Sequence, residues 1–349
     1  MTTVRTITSD GAGAVLRHAA DRKTVVWTLL LMPAVAIVQY VWPKTAGFLM
    51  PLSIYLAYCA GVVAHNHNHT PTFVDRKSNG WFSTWISIFY GYPAFAWIPT
   101  HNENHHKFGN RPGDATIIWH RFKKNNAAAA LFYFFVSAKE QGPLIARYIA
   151  KAREKRPVIY SLIRTQYAVV YGVHAAALGL ALALHGPLRG LLVYASALGI
   201  PAALALWGLM FTNYLQHVDC DPWSKYDHSR NFVSPWLNWF VFDNGFHTIH
   251  HERPGLHWSL ARAAHNKEIA PHMDARLAES SIFGYCLKTY LLALVSKRYR
   301  VAPLVTVAEL EAREREEQRR WSRKLPDEPD EPDVTKGGPR WRCLPSVVS

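Results

Sequence analysis

The sequence predicts an all-α integral membrane fold: four transmembrane helices in two hairpins, with a cytosolic helical cap. Three observations lead there. Four apolar runs, at 25–42, 46–64, 158–184 and 188–215, have about the ~20 residues needed to cross ~30 Å of hydrocarbon. The runs come in two pairs with short joints, Pro43-Lys44-Thr45 and His185-Gly186-Pro187, so each pair reads as a chain that crosses and returns. Nine of the eighteen histidines fall in three windows, 65–69, 101–106 and 247–251, which make up sixteen of 349 residues. An even spread would put fewer than one there.

Residues 1–24 form an N-terminal segment ahead of the first run. That run is too long for a signal-peptide core, and the stretch before it is mostly polar. Arg17, Arg22 and Lys23 precede the first span, and Lys139, Arg147, Lys151, Arg153, Lys155 and Arg156 precede the third. Short basic flanks stay in the cytoplasm, so both hairpins open toward the cytosol and both termini lie there. Residues 81–99 are apolar and aromatic but broken by Gly91, Pro93 and Pro99, which favours a segment lying in the membrane interface over a fifth crossing. This keeps the second histidine window on the side of the first. Residues 283–295 read either as an amphipathic segment lying on the bilayer or as a segment packing beneath the domain that carries the histidines. The membrane unit spans 25–300, and 301–349 is a polar tail: 309–324 forms a solvated helix and the acidic, proline-rich 326–333 is disordered.

A formal charge of +14 invites a nucleic-acid reading. The positive residues crowd the flanks of the spans, however, where anionic headgroups of membrane lipids are the natural partner. No nucleic acid is expected. Cys59, Cys220, Cys286 and Cys343 stand alone, without metal or redox spacing.

Histidine clusters in three windows exceed what one metal ion needs, and imidazole is the commonest protein ligand for transition metals. The sequence thus points to a polynuclear site. His65 and His69 follow the second run and are four apart, on one helical face; His67 lies about 200° away and reads as a hydrogen-bonded non-ligand. His101 and His105 repeat the four-residue spacing, with His106 adjacent. His247, His250 and His251 fill about a 100° arc of a helix and can converge on one point. Phe242-Asp-Asn-Gly-Phe246 supplies turn chemistry ahead of them. At the end of the fourth run, Asn213 and His217 are four apart at the level of the first window, which favours His217 as a ligand. His174, deep in the third run, reads as an imidazole bonded between helices. His18, His120, His185, His228, His257, His265 and His272 lack ligand spacing and are expected at the surface or behind the ligands. Asp114, Asp219, Asp221 and Asp243 are candidates to orient ligand imidazoles through the second ring nitrogen.

HxxxH at 65–69, HxxxHH at 101–106 and HxxHH at 247–251, in this order and placed on two hairpins, resemble the integral-membrane fatty acid desaturase and hydroxylase superfamily. The likeness runs from about Ala46 to His251. It implies two iron ions with O2 as co-substrate, held at the cytosolic end of the spans. The implied ligands are His65, His69, His101, His105, His106, His217, His247, His250 and His251, with Asn213 reaching metal through water. His67 is additional to the family pattern.

The resemblance also implies desaturation of a fatty acyl chain, carried by a lipid or an acyl thioester. Its unactivated C–H bonds yield to no side-chain acid, base or nucleophile, and all-nitrogen ligation leaves open positions for O2. The chain has no GxGxxG, cysteine cluster or haem motif to supply electrons. An external donor, a ferredoxin or a cytochrome b5 type protein with its reductase, is therefore expected, and the basic cytosolic face suits an acidic carrier. A hydroxylase of the same superfamily, acting on an acyl chain, alkane, sphingolipid or carotenoid, is the nearest alternative. A zinc-binding transporter is a distant one, because its ligands belong near the bilayer midplane and not at the ends of spans.

Overall fold

The computed structural model describes residues 15–322; the acidic stretch 326–333 and Cys343 lie outside them. The described chain is mostly helical, with almost no strand. Four helices are long and apolar enough to cross a membrane: α1 (Asp21–Val41), α2 (Pro43–His69) and, further along, Pro157–His185 and Pro187–His217. Between the pairs come α3 (Arg76–Tyr90), a helical segment at 98–108 that carries the second window, and α4 (Ala127–Lys155). The later apolar helices are α5 (Pro157–His185) and α6 (Pro187–His217). After α6 come the short helices α7 (Pro235–Phe240), α8 (His247–Glu252) and α9 (Ala261–Glu268), then α10 (Ile282–Val295) and α11 (Val307–Ser322). The single sheet is two residues deep: β1 (Asn231–Phe232) pairs in parallel with β2 (Ala278–Glu279), Asn231 opposite Ala278.

Local chemistry sets the boundaries. Pro43, Pro157, Pro187 and Pro235 each open a helix, where the missing N–H costs nothing. Asp75 and Asn126 cap α3 and α4 by accepting from the backbone N–H groups of Ser78 and Ala129. α3 stops at Gly91, whose φ of 78° is left-handed, and its place against the Ala202 side chain leaves no room for a Cβ. At 15 residues α3 is too short to cross a bilayer. Its inner face, including Phe82, Ile86 and Tyr90, is buried, while Trp81 is exposed.

Of the four π-helical segments among the described residues, Ile98–His105 contains Pro99, Val26–Leu31 and Ala195–Gly199 each have a proline two residues on, Pro33 and Pro201, and Leu287–Leu292 has none. A proline ring inside a helix removes one donor and crowds the carbonyl four residues back, and a π turn absorbs the misfit.

α2 and α6 form the centre. Half of the apolar stretch of α2 and 44% of that of α6 is buried, against 22% in α1 and 11% in α5, so the latter two leave most of their apolar surface exposed. Gly61 lets the Leu209 side chain press against α2, Gly208 admits the ring of Tyr58, and the Tyr58 and Thr212 hydroxyls bond at 3.0 Å. Gln39 of α1 donates to Ser53 of α2 at 2.8 Å across the joint at 43–45. His174 bridges helices as expected from its depth, meeting the Tyr194 hydroxyl at 3.0 Å and the Ile88 carbonyl at 2.9 Å.

The tail is less detached than its composition suggests. Val305 and Leu310 are buried beside Trp119 and Trp223. α11 also reaches the body through Glu311 to Lys123, Glu314 to His120 and Arg313 to Asp221.

Candidate metal centre

The C-terminal ends of α2 and α6 deliver His65, His69 and His217 to one level, and the segment 98–108 and α8 close over them with the other six imidazoles. The nine rings divide into two groups whose ligand atoms lie within 4.8 Å of one another: His65, His69, His101, His106 and His250, and His105, His217, His247 and His251. Either group could hold a metal ion. His67 belongs to neither. It meets the Thr72 hydroxyl at 3.0 Å and the Asn79 carbonyl at 3.3 Å.

The division departs from the face-sharing that helical spacing predicts. His101 and His105, four apart, face different groups, while His101 and His106, five apart, share one. The π geometry of Ile98–His105 accounts for this, since its i→i+5 bonding widens the turn and shifts residues four and five apart around the helix axis relative to an α-helix. Nor do the rings of the third window converge on one point. His247 and His251 join the second group and His250 the first.

Proton placement, assigned from the partners of each ring, tests whether a cation fits. His217 Nδ1 contacts the carbonyl of His228 at 3.2 Å, and a carbonyl can only accept, so this nitrogen carries the proton and Nε2 presents a bare lone pair. His105 Nδ1 meets the Asp114 carboxylate at 2.8 Å, with the same result. These two bare Nε2 atoms lie 3.1 Å apart, His247 Nε2 is 2.9 Å from that of His217, and His251 Nε2 is 3.1 Å from that of His247. A proton shared by one pair would leave the other two lone pairs facing nothing, whereas one cation serves all four.

In the first group, Nε2 of His65 lies 2.8 Å from that of His101 and 3.0 Å from that of His250, and His69 Nε2 is buried with no hydrogen-bond partner. Imidazole nitrogens at about 2.1 Å from a divalent transition metal, with bonds 90–109° apart, stand about 3.0–3.4 Å from each other. The observed Nε2 contacts, 2.8–3.3 Å, lie at or just below that spacing. Burial first, and neighbouring imidazoles second, hold His101, His106, His247, His250 and His251 well below the usual histidine range, which keeps them neutral and ready to ligate.

Of the four aspartates proposed to orient ligands, Asp114 does so. Burial works against its charge, yet His105 and hydrogen bonds from His105 and Thr116 hold the carboxyl down to about 2. The left-handed pair Gly109 and Asn110 bends the chain so that Asp114 returns to His105. Asp219, Asp221 and Asp243 instead bond Asn125, Arg313 and Arg262.

Asn213 does not touch a ring; its amide donates to the Tyr133 hydroxyl at 3.0 Å, and its side chain lines a cavity. This cavity, of about 260 Å³, has His65, His101, His105 and His247 in its wall, and its other lining residues include Tyr58, Trp97, Leu206 and Met210. Among the described residues, no lysine, arginine, aspartate or glutamate lines it. Trp97, four residues before His101, packs against both His65 and His101 at ring centroid distances of 5.2 and 5.3 Å. Its aromatic ring at helical spacing from a histidine window was the available signal.

Three histidines given no chemistry by their spacing are buried: His228, His257 and His265. His257 meets the buried carboxylate of Asp21 at 3.2 Å, and His265 packs on Phe246. His228 sits beside His251, ring centroids 5.5 Å apart.

No curated protein matches the chain significantly. Residues 40–281, more than two thirds of the sequence and all nine clustered imidazoles, match the fatty acid desaturase family, and the chain belongs to that family.

Proposed function

We propose that this chain is an O2-dependent di-iron oxidoreductase that introduces a double bond into a fatty acyl chain. The observation that carries the reading is the juxtaposition of two all-imidazole groups with an uncharged, largely apolar cavity that has members of both groups in its wall. The nine imidazoles would hold the two irons, with Asn213 contributing through water. The bound irons would supply O2 reduction: two hydrogens leave adjacent carbons, the donor adds two electrons, two protons are taken up, and two waters form.

The chain's own residues perform the remaining work. Asp114 fixes the tautomer of His105, which keeps Nε2 free as a donor. Tyr58, Trp97, Leu206 and Met210 offer an acyl chain apolar contact, and filling the cavity excludes water from the reacting carbons. The absence of carboxylates and ammonium groups there suits a hydrocarbon and disfavours a charged head, which must stay outside. Electrons would come from an external carrier docking on the exposed basic end of α4. The four apolar helices would form two hairpins with the site and both termini cytosolic, as the basic flanks require.

The test is mass spectrometry of acyl chains from membranes containing the protein, supplied with O2 and a reducing system, beside a His250→Ala control. Loss of two hydrogens, abolished in the control, is the expected result. Gain of one oxygen would replace the desaturase with a hydroxylase, and unchanged lipids from a metal-replete protein would overturn both.

A further inference from the structure

Resting on the metal reading above, we propose that His228 is a tenth imidazole of the centre, a ligand to the ion held by His105, His217, His247 and His251. The two groups are unequal, five nitrogens against four. His228 borders the smaller group. Its Nδ1 lies 3.1 Å from the carbonyls of Ser224 and Lys225, which only accept, so Nδ1 carries the proton and Nε2 is a bare lone pair. Nε2 is buried and has no hydrogen-bond partner. A buried acceptor left in that state is costly unless something meets it.

The ring's surroundings indicate what meets it. It stands edge-on to His251 at 5.5 Å between centroids, within the range of separations between rings inside the groups, such as 5.6 Å for His101 and His250. The same residue's carbonyl accepts from His217 Nδ1. His228 thus borders the second group twice, through its backbone behind His217 and through its ring beside His251. Tautomer and burial are those of a ligand, the ring borders the second group, and the turn at 224–228 holds Nδ1 on its two carbonyls. Sequence spacing conceals this role, because His228 lies eleven residues after His217 with no histidine between them.

Substitution of the ring leaves the backbone carbonyl, and so the support of His217, in place. The experiment loads metal-free full-length protein in detergent with Co2+ alone and reads bound ions and their visible absorption. Wild type is expected to bind two ions; failure to do so would refute the metal reading itself, independently of His228. His228→Gln is expected to hold the first ion as wild type does and the second at least tenfold more weakly, with an altered spectrum for that ion. His265→Gln, an equally buried change away from the groups, is expected to match wild type. In His228→Gly, added imidazole should restore the second ion, and cyclopentane, similar in size but unable to ligate, should not. The proposal is overturned if His228→Gln binds both ions with wild-type affinity and spectrum, if it loses both alike, or if imidazole fails to rescue.

Discussion

Asp114 shows how much of this centre depends on one carboxylate. It accepts from His105 Nδ1, from the backbone of Asn110 and from both the backbone and hydroxyl of Thr116, all at 2.7–2.8 Å. Asp114→Asn preserves the shape but removes the charge and offers an N–H where an acceptor is needed. The expected result is a loss of about 10–100-fold in metal affinity at the group containing His105, with the other group unaffected, read by chelator competition. At this scale the sequence was informative about which residues mattered and poor about how they pair. Spacing marked the histidine windows and set His67 apart. It could not divide His101 from His105, since that follows from a π turn around Pro99 and not from the spacing. Nor could it find His228, whose neighbours come from 224–225 and 251 and leave no repeat in the sequence.

Among the elements, the loop that leads into α8 is the most constrained. Phe242 and Asp243 both adopt left-handed φ, 53° and 52°, and Gly245 lies so close to the Phe232 carbonyl and the Asn238 side chain that a Cβ would collide with both. The Gly245 N–H donates to Asn238 Oδ1 and its carbonyl accepts from Phe232, which fixes the start of α8 and with it three imidazoles. Gly245→Ala should cost about 1–3 kcal/mol, seen as a lowered Tm of the purified protein together with weakened metal retention. The turn chemistry of 242–246 was legible in advance, and so were the four long apolar helices, because length and hydropathy are local properties. The seating of α11 was not. Its charged sequence reads as solvated, and only the tertiary partners Lys123, His120 and Asp221 give its face a surface to meet.

For the whole molecule, charge and apolarity are segregated. Exposed apolar side chains such as Phe48, Val158 and Leu188 stud the long helices, Phe283, Leu287 and Leu291 line one side of α10, and the end of α4 exposes Lys151, Arg153 and Lys155. Reversing those three charges to glutamate is expected to slow reduction by an acidic protein carrier at least tenfold at low salt while leaving reduction by a small neutral reductant unchanged, measured by stopped-flow. Equal slowing of both would remove the basic end of α4 as the docking face. The way the imidazoles are shared has one more consequence, for biosynthesis. Each group needs a member from α8, His250 for one and His247 with His251 for the other. No truncated product ending before that helix contains a complete set, and a ribosome takes on the order of 10–40 s to travel from the first window to the last. The earliest imidazoles must wait through that interval as an open, partial chelate, so the nascent chain is at its most vulnerable to a wrong metal before its own last ligands have been made.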